Sequence, residues 1–151
     1  MNPPYAFALT LAQPLAQAVE TLRAALAAEQ MGIVSEVDMQ ATLKAKLGID
    51  SAPQRLLGVC SPKVAHALVT AEPDIAALLP CGASVLEATP GQTRVLLQDP
   101  RAILAASASQ DPVIKAVLEE ARVAVLRVVA ALGGQAAVSY THLTLPTSDL
   151  V

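Results

Sequence analysis

The chain has 151 residues, of which 54% are hydrophobic and only 2% aromatic, and its net charge is -3. This composition argues against a nucleic-acid partner, because such proteins neutralise phosphates with basic side chains or stack bases on aromatic rings. The length favours one domain with an ordinary hydrophobic core, and we predict a single domain over residues 1–137.

The first part of the chain reads as alternating strands and helices. Residues 5–12 alternate between apolar and other side chains, which predicts a strand. A helix follows after Pro14, because one apolar stripe recurs at helical spacing: Leu15, Val19, Leu22 and Leu26. Residues 33–37 predict a second strand, and Asp38 is placed to cap a short helix that ends at Gly48.

The middle of the chain combines a buried strand with a helix and a hairpin. Residues 55–60 are apolar enough for a buried strand. Ser61-Pro62 then supplies a cap and a first-turn proline for a helix over about 63–72. Residues 84–88 and 93–98 flank a Pro-Gly turn, a pattern that is typical of a β-hairpin.

Two further helices are each predicted to begin at an Asp-Pro dipeptide, one at Asp99-Pro100 and the other at Asp111-Pro112. The second, over about 113–132, is the longest and is apolar on more than one side. It is therefore either sandwiched inside the fold or in contact with another subunit. The mixed order of elements predicts an α+β fold, with a mostly antiparallel sheet of four to five strands and helices packed on one face.

The last residues differ in character from the rest of the chain. Residues 138–151 continue no periodic pattern, and they resemble the in-frame translation of a sequencing-library adapter. That resemblance implies an artefactual tail, with the natural chain ending near Ala137. We therefore assign no role to Tyr140 or His142.

The sequence also favours a location inside the cell. No charge-free apolar run reaches the length of about 18 residues that a transmembrane helix needs, so we expect no membrane contact. The chain carries no positive charge before Arg23, which is not typical of a secretory signal. We therefore expect a cytoplasmic protein in which Cys60 and Cys81 are reduced rather than bridged.

Two cysteines carry most of the chemistry that the sequence suggests. Cys60 is predicted where a strand passes into a helix, and the positive end of a helix dipole favours a thiolate there. Lys63, one turn away, acts in the same direction, and Cys81 supplies a second thiol. His66 could orient or deprotonate a thiol, although nearly two helical turns separate it from Cys60.

The cysteines leave three interpretations open: packing residues, a redox or soft-ligand site, and part of a metal site. Zinc usually takes four Cys or His ligands, and the natural region offers only Cys60, Cys81 and His66. A dimer could add ligands from a second subunit. We assign no metal site and name no cofactor.

Several segments together resemble the domain of unknown function 302 family. They are residues 38–48, Leu57 to Pro62, Ala65-His66, Ala71 to Pro73, and Leu79 to Cys81. The resemblance runs from about Tyr5 to Leu132. It implies a compact α+β fold and a homodimer, and it implies no established activity.

The leading hypothesis is a homodimeric ligand-binding or accessory module with a candidate thiol site at Cys60 and Cys81. Lys63 and His66 are the other candidate binding residues, and a small molecule or a thiol compound is the expected ligand. One alternative is a thiol oxidoreductase or sulfur-handling enzyme that uses both cysteines. The other is a purely structural interaction domain.

Overall fold

A computed structural model describes residues 2–133, which contain five strands and five α-helices. The strands are β1 (Ala6–Leu11), β2 (Gly32–Asp38), β3 (Gln54–Cys60), β4 (Cys81–Thr89) and β5 (Gln92–Gln98). The helices are α1 (Leu15–Ala28), α2 (Met39–Leu47), α3 (Pro62–Ala71), α4 (Arg101–Ser107) and α5 (Pro112–Leu132), and a 3-10 helix spans Pro73–Leu78. The predicted tail over residues 138–151 lies outside the described residues, and the single domain over 1–137 stays a prediction.

The five strands form one sheet in the order β1-β5-β4-β3-β2, and every neighbouring pair is antiparallel. This confirms the predicted α+β class with a mostly antiparallel sheet. β4 begins three residues earlier than the hairpin pattern indicates, because Cys81 pairs with Val59 of β3. Both strands of the hairpin therefore continue to the end of the sheet where β3 passes into α3.

Helices α1 and α5 pack on one face of the sheet and close the main core. Val19 and Leu22 of α1 are fully buried, as are Val128 and Val129 of α5. A smaller second cluster forms beneath α3 around Leu68. Burial of this kind contributes about 25 cal/mol per Å² of apolar surface and is the main favourable term for the fold.

Local capping side chains begin three of the helices at the positions that the sequence indicates. Asp38 accepts a hydrogen bond from the Ala41 N–H, and Ser61 accepts one from the Val64 N–H. Asp111 accepts one at 2.8 Å from an N–H in the first turn of α5. Each bond satisfies one of the backbone donors that a helix leaves unpaired at its start.

Helix α1 is capped by a side chain distant in sequence. Pro14 offers no side-chain acceptor, and the Leu15 N–H donates instead to Glu87 Oε1 of β4 at 2.9 Å. The other oxygen of Glu87 accepts the Gly91 N–H of the hairpin turn at 2.8 Å. These two backbone hydrogen bonds lower the pKa of Glu87, and the bond from Gly91 has the larger effect. One carboxylate therefore joins the hairpin tip to the start of α1.

The two apolar sides of α5 are both used within the fold. The helix packs against α1, α3 and α4 and also touches β1. Val125 and Leu126 pack on the main core, whereas Ile114 and Leu118 belong to the second cluster. Of the two explanations for its apolar surface, the sandwiched helix is the one that the structure shows. Between residues 2 and 133, no helix combines the length and apolar character that crossing a bilayer requires.

A largely buried ion pair fixes the middle of α5. Arg122 Nε lies 3.2 and 3.3 Å from the two carboxylate oxygens of Asp99, whose side chain is 10% exposed. The same guanidinium lies 5.4 Å from the ring centroid of Phe7 in β1. Asp99 also accepts the Arg101 N–H at the start of α4. The pair therefore joins α5, α4 and the edge of the sheet.

Removing the cation from this pair is expected to destabilise the fold strongly. The Arg122→Met variant keeps an aliphatic stem but leaves Asp99 buried and unpaired, so we expect a loss of about 3 kcal/mol in unfolding free energy. Urea denaturation measures it. In the matched variant Lys44→Met, which loses an exposed pair with Asp50, a change within about 0.5 kcal/mol is expected. Equal losses in the two variants would contradict this role for Asp99.

Candidate functional site

A cleft of about 520 Å³ opens between α1, α3 and α5, at the end of the sheet where β3 finishes and β4 begins. Val59 and Leu97 come from the strands that lie beneath it, and Ala121 and Ala124 come from α5. Residues of six elements line the space. The cleft is therefore a property of the tertiary packing and not of one segment.

The cleft exists because α5 carries small side chains where it passes this part of the sheet. Ala121 and Ala124 are three residues apart and share a helix face. Larger residues further along the helix, at Val125 and Val128, pack on the core. A methyl group at positions 121 and 124 leaves the space that a leucine would occupy, so the gap is set by side-chain size.

The start of α3 forms one wall of the cleft. Ser61, Pro62 and Lys63 all line it. The proline has no N–H, and the serine side chain accepts the N–H of Val64 at 3.5 Å. The first turn therefore presents the backbone N–H of Lys63, at the positive end of the helix dipole.

Two ion pairs bridge the helices around the cleft. Lys63 Nζ of α3 lies 3.9 Å from Glu120 Oε2 of α5, and Arg127 Nη1 of α5 lies 3.4 Å from Glu29 Oε1 after α1. All four residues line the cleft. Glu120 and Arg127 are seven residues apart, which places them on one face of α5, two turns from each other. The cleft thus has an apolar interior and a rim in which opposite charges are matched.

The end of α1 forms the opposite wall through a tight reversal of the backbone. Gln30 adopts a left-handed conformation with φ of 61°. The Gln30 N–H donates to the Ala27 carbonyl, and the Met31 N–H donates to the Leu26 carbonyl. In helix ends with this pattern the left-handed residue is usually glycine. This turn brings Glu29, Gln30 and Met31 to the cleft.

The two cysteines lie next to each other along the sheet but differ in their position. Cys81 lines the cleft, directly across from Val59, whereas Cys60 is not among the lining residues. Strand side chains alternate between faces, so Cys60 lies on the face opposite to Val59 and Cys81. Both thiols are half-buried and free. A bond between the two sulfurs would therefore require the backbone to move.

The thiol of Cys81 is held in its neutral form. Burial, and to a lesser extent the nearby charge of Cys60, raises the pKa of Cys81 to about 11. A thiolate is the nucleophile and the metal ligand, so Cys81 is a weak candidate for either role at neutral pH. As a neutral, polarisable side chain it offers an apolar contact to a molecule in the cleft.

Comparison with known proteins identifies the fold family. Residues 7–132 match the family model described as Domain of unknown function DUF302. The chain belongs to the DUF302 family. It is similar in structure to an uncharacterized conserved DUF302 protein from Bacillus stearothermophilus, with 22% sequence identity and a TM-score of 0.72. The match covers 86% of this chain and 97% of that chain, and at this identity it shows a shared fold. No curated protein matches the sequence.

The structure of this DUF302 chain brings together part of the set of residues that its sequence suggests. Cys81 and Lys63 both line the cleft, and Cys60 lies beside it. His66 is exposed on α3 and is not a lining residue. Within residues 2–133, no three Cys, His, Asp or Glu side chains are grouped in a way that could hold a metal ion.

Sequence reasoning missed the other charged residues of the rim, which are Glu29, Glu120 and Arg127. The seven-residue spacing of Glu120 and Arg127 within a predicted helix places them on one face and was the available signal. Nothing in the sequence indicates that α1 ends next to that face, because this contact joins residues 98 positions apart in the chain.

The raised pKa of Cys81 predicts slow alkylation with a steep dependence on pH. In the Cys60→Ala variant, Cys81 is the chain's sole cysteine, and burial still disfavours its thiolate. Its rate of reaction with iodoacetamide should still rise about tenfold per pH unit above pH 9, whereas an ordinary thiol with a pKa near 8.5 levels off. Mass spectrometry follows the reaction. The urea-unfolded variant is the control, and a plateau below about pH 9 in the folded protein would refute the shift.

Proposed function

We propose that this DUF302 chain is a homodimeric ligand-binding module that holds a small, mainly apolar molecule in the cleft beneath α5. The observation that carries the proposal is the cleft itself, with mainly aliphatic side chains in its interior and four charged residues at its rim. Its volume of about 520 Å³ falls in the range of about 300–1,000 Å³ that is typical of small-molecule sites. Sites of this kind combine apolar walls with a few converging polar groups.

The candidate residues take different parts in this proposal. Cys81 contributes a neutral thiol to the interior, and Lys63 contributes a charge at the rim. Cys60 lies on the opposite face of the sheet from Cys81, and His66 lies outside the cleft on α3. Since both cysteines are free, a reducing compartment suits the protein, and we propose the cytoplasm.

Two observations favour a binding module over a thiol oxidoreductase. A dithiol cycle needs two sulfurs that can approach each other, and strand alternation places Cys60 and Cys81 on opposite faces. Cys81 would also be a poor attacking thiol in such a cycle, because burial raises its pKa to about 11. A purely structural domain has no need for an open apolar cleft of this size.

Filling the cleft is expected to weaken the binding of an apolar probe. Phenylnaphthylamine, a neutral dye that fluoresces in apolar surroundings, should bind the natural chain. The Ala124→Leu variant should weaken the dye's affinity by at least about tenfold, because the added carbons occupy the space. Fluorescence titration measures this change.

The matched control is Ala116→Leu, which makes the same change on an exposed part of α5. It should leave dye affinity unchanged, and urea denaturation should show that both variants fold. Absence of dye binding by the unsubstituted chain, or equal affinities for the two variants, would overturn the proposed binding site.

The homodimer is proposed to form at the β2 edge of the sheet. Within the described residues β2 pairs only with β3, so one side of this strand has no neighbour. Exposed apolar side chains concentrate in and beside this strand: Val34, Val37, Leu47, Ile49 and Leu56. Val37 and Leu56 lie opposite each other in the register and are 45% and 40% exposed. An unpaired edge with exposed apolar residues suits a two-fold contact with a second copy.

A charge placed at this edge is expected to disrupt the dimer. Leu56→Lys should raise the dimer dissociation constant by at least about tenfold, because it puts an unpaired ammonium group into the apolar contact. Light scattering of the full chain measures the mass across a concentration series. Val113→Lys alters an apolar residue of α5 that is also exposed and should leave the dimer intact. A monomeric natural chain, or a Leu56→Lys variant that remains dimeric, would refute the proposed contact.

A further inference from the structure

We infer that the ligand of this cleft is an aliphatic monocarboxylate, bound with its chain beneath α5 and its carboxylate at Lys63. This inference rests on the proposed function and adds the chemical class of the ligand. It follows from three features: the aliphatic lining of the interior, the weak pairing of one rim cation, and the position of that cation at a helix start.

The interior favours a flexible aliphatic group. Most of its apolar lining residues are aliphatic, with Leu97 and Val59 from the sheet and Val125 and Val128 from α5. No aromatic ring lines the cleft within the described part of the chain, so stacking with a planar ligand contributes nothing. Apolar burial and dispersion contacts are then the main source of affinity, and both increase with the length of an alkyl chain.

Lys63 is the rim cation that is least committed to the protein. Its Nζ lies 3.9 Å from Glu120, which is longer than a hydrogen bond, and the two side chains are 83% and 65% exposed. Arg127 lies closer to its partner, at 3.4 Å, and Glu29 is only 24% exposed. An exposed and loosely paired ion pair contributes little to stability. Because the exposed Glu120 side chain can turn into solvent, a ligand anion can replace it at Lys63.

The backbone around Lys63 favours the same charge. Lys63 is in the first turn of α3, where the helix dipole stabilises an anion. Ser61 occupies the N–H of Val64 and Pro62 has none, so the N–H of Lys63 remains in the first turn as a donor. A carboxylate at this position meets an ammonium group and a backbone N–H next to an apolar space. A cation there would be repelled by both.

The test compares ligands that share one chain length and differ in the head group. Decanoate, decanol and decyltrimethylammonium, each below its micellar concentration, compete for bound phenylnaphthylamine in a fluorescence displacement titration. Decanoate should bind about tenfold more tightly than decanol, because it adds one charge-assisted interaction. Decyltrimethylammonium should bind more weakly than either. In the Lys63→Met variant the affinity for decanoate should fall about tenfold, to that of decanol.

The control variant Lys46→Met removes an exposed lysine of α2 that does not line the cleft. It should keep the preference for decanoate. A preference that survives Lys63→Met, or equal affinities for decanoate and decanol, would overturn the carboxylate inference while the binding module stands. Failure of the natural chain to bind the dye would overturn the proposed function and the inference together.

Discussion

The architecture depends on helix α5, which is buried at both ends and lines the cleft along its middle. Large side chains bury the ends of α5, with Ile114 and Leu118 in one cluster and Val128 and Val129 in the other. The Arg122–Asp99 pair fixes the helix between them against β1 and α4. These contacts set the distance of α5 from the sheet. The helix therefore cannot move closer to the sheet at Ala121 and Ala124, where its side chains are small. The cleft is therefore a consequence of how the rest of the helix packs.

The local elements of this fold could be predicted because their signals are local. The stripe on α1, the caps at Asp38, Ser61 and Asp111, and the Pro-Gly turn each depend on residues a few positions apart. Periodicity and capping are signals that act over such short separations in the sequence. The Glu87 cap of α1 spans 72 residues and has no such signal. The same holds for the cleft, whose lining residues come from six elements and meet only after packing.

The cysteines show how far sequence reasoning about a site can extend. The predicted strand over residues 55–60 places Cys60 at a strand-to-helix junction, and the structure agrees. The start of β4 at Cys81 could not be read from the hairpin, because the pairing that extends this strand comes from β3. That register decides which sulfur lines the cleft. A shift of one residue in the pairing of β4 with β3 would move Cys81 to the other face of the sheet. The site therefore depends on strand pairing and not on the residue types alone.

The structure also separates the regions that suit a ligand from those that suit a partner. The cleft draws on α1, α3, α5 and three strands, so a bound molecule would contact six elements at once and stabilise the folded state. β2 and α2 contribute nothing to the cleft, and no residue of α2 is fully buried. Nine residues are too few for a stable isolated helix, and α2 relies on its Asp38 cap and a left-handed Gly48. A contact with a second copy at this edge would supply the burial that α2 lacks without closing the cleft.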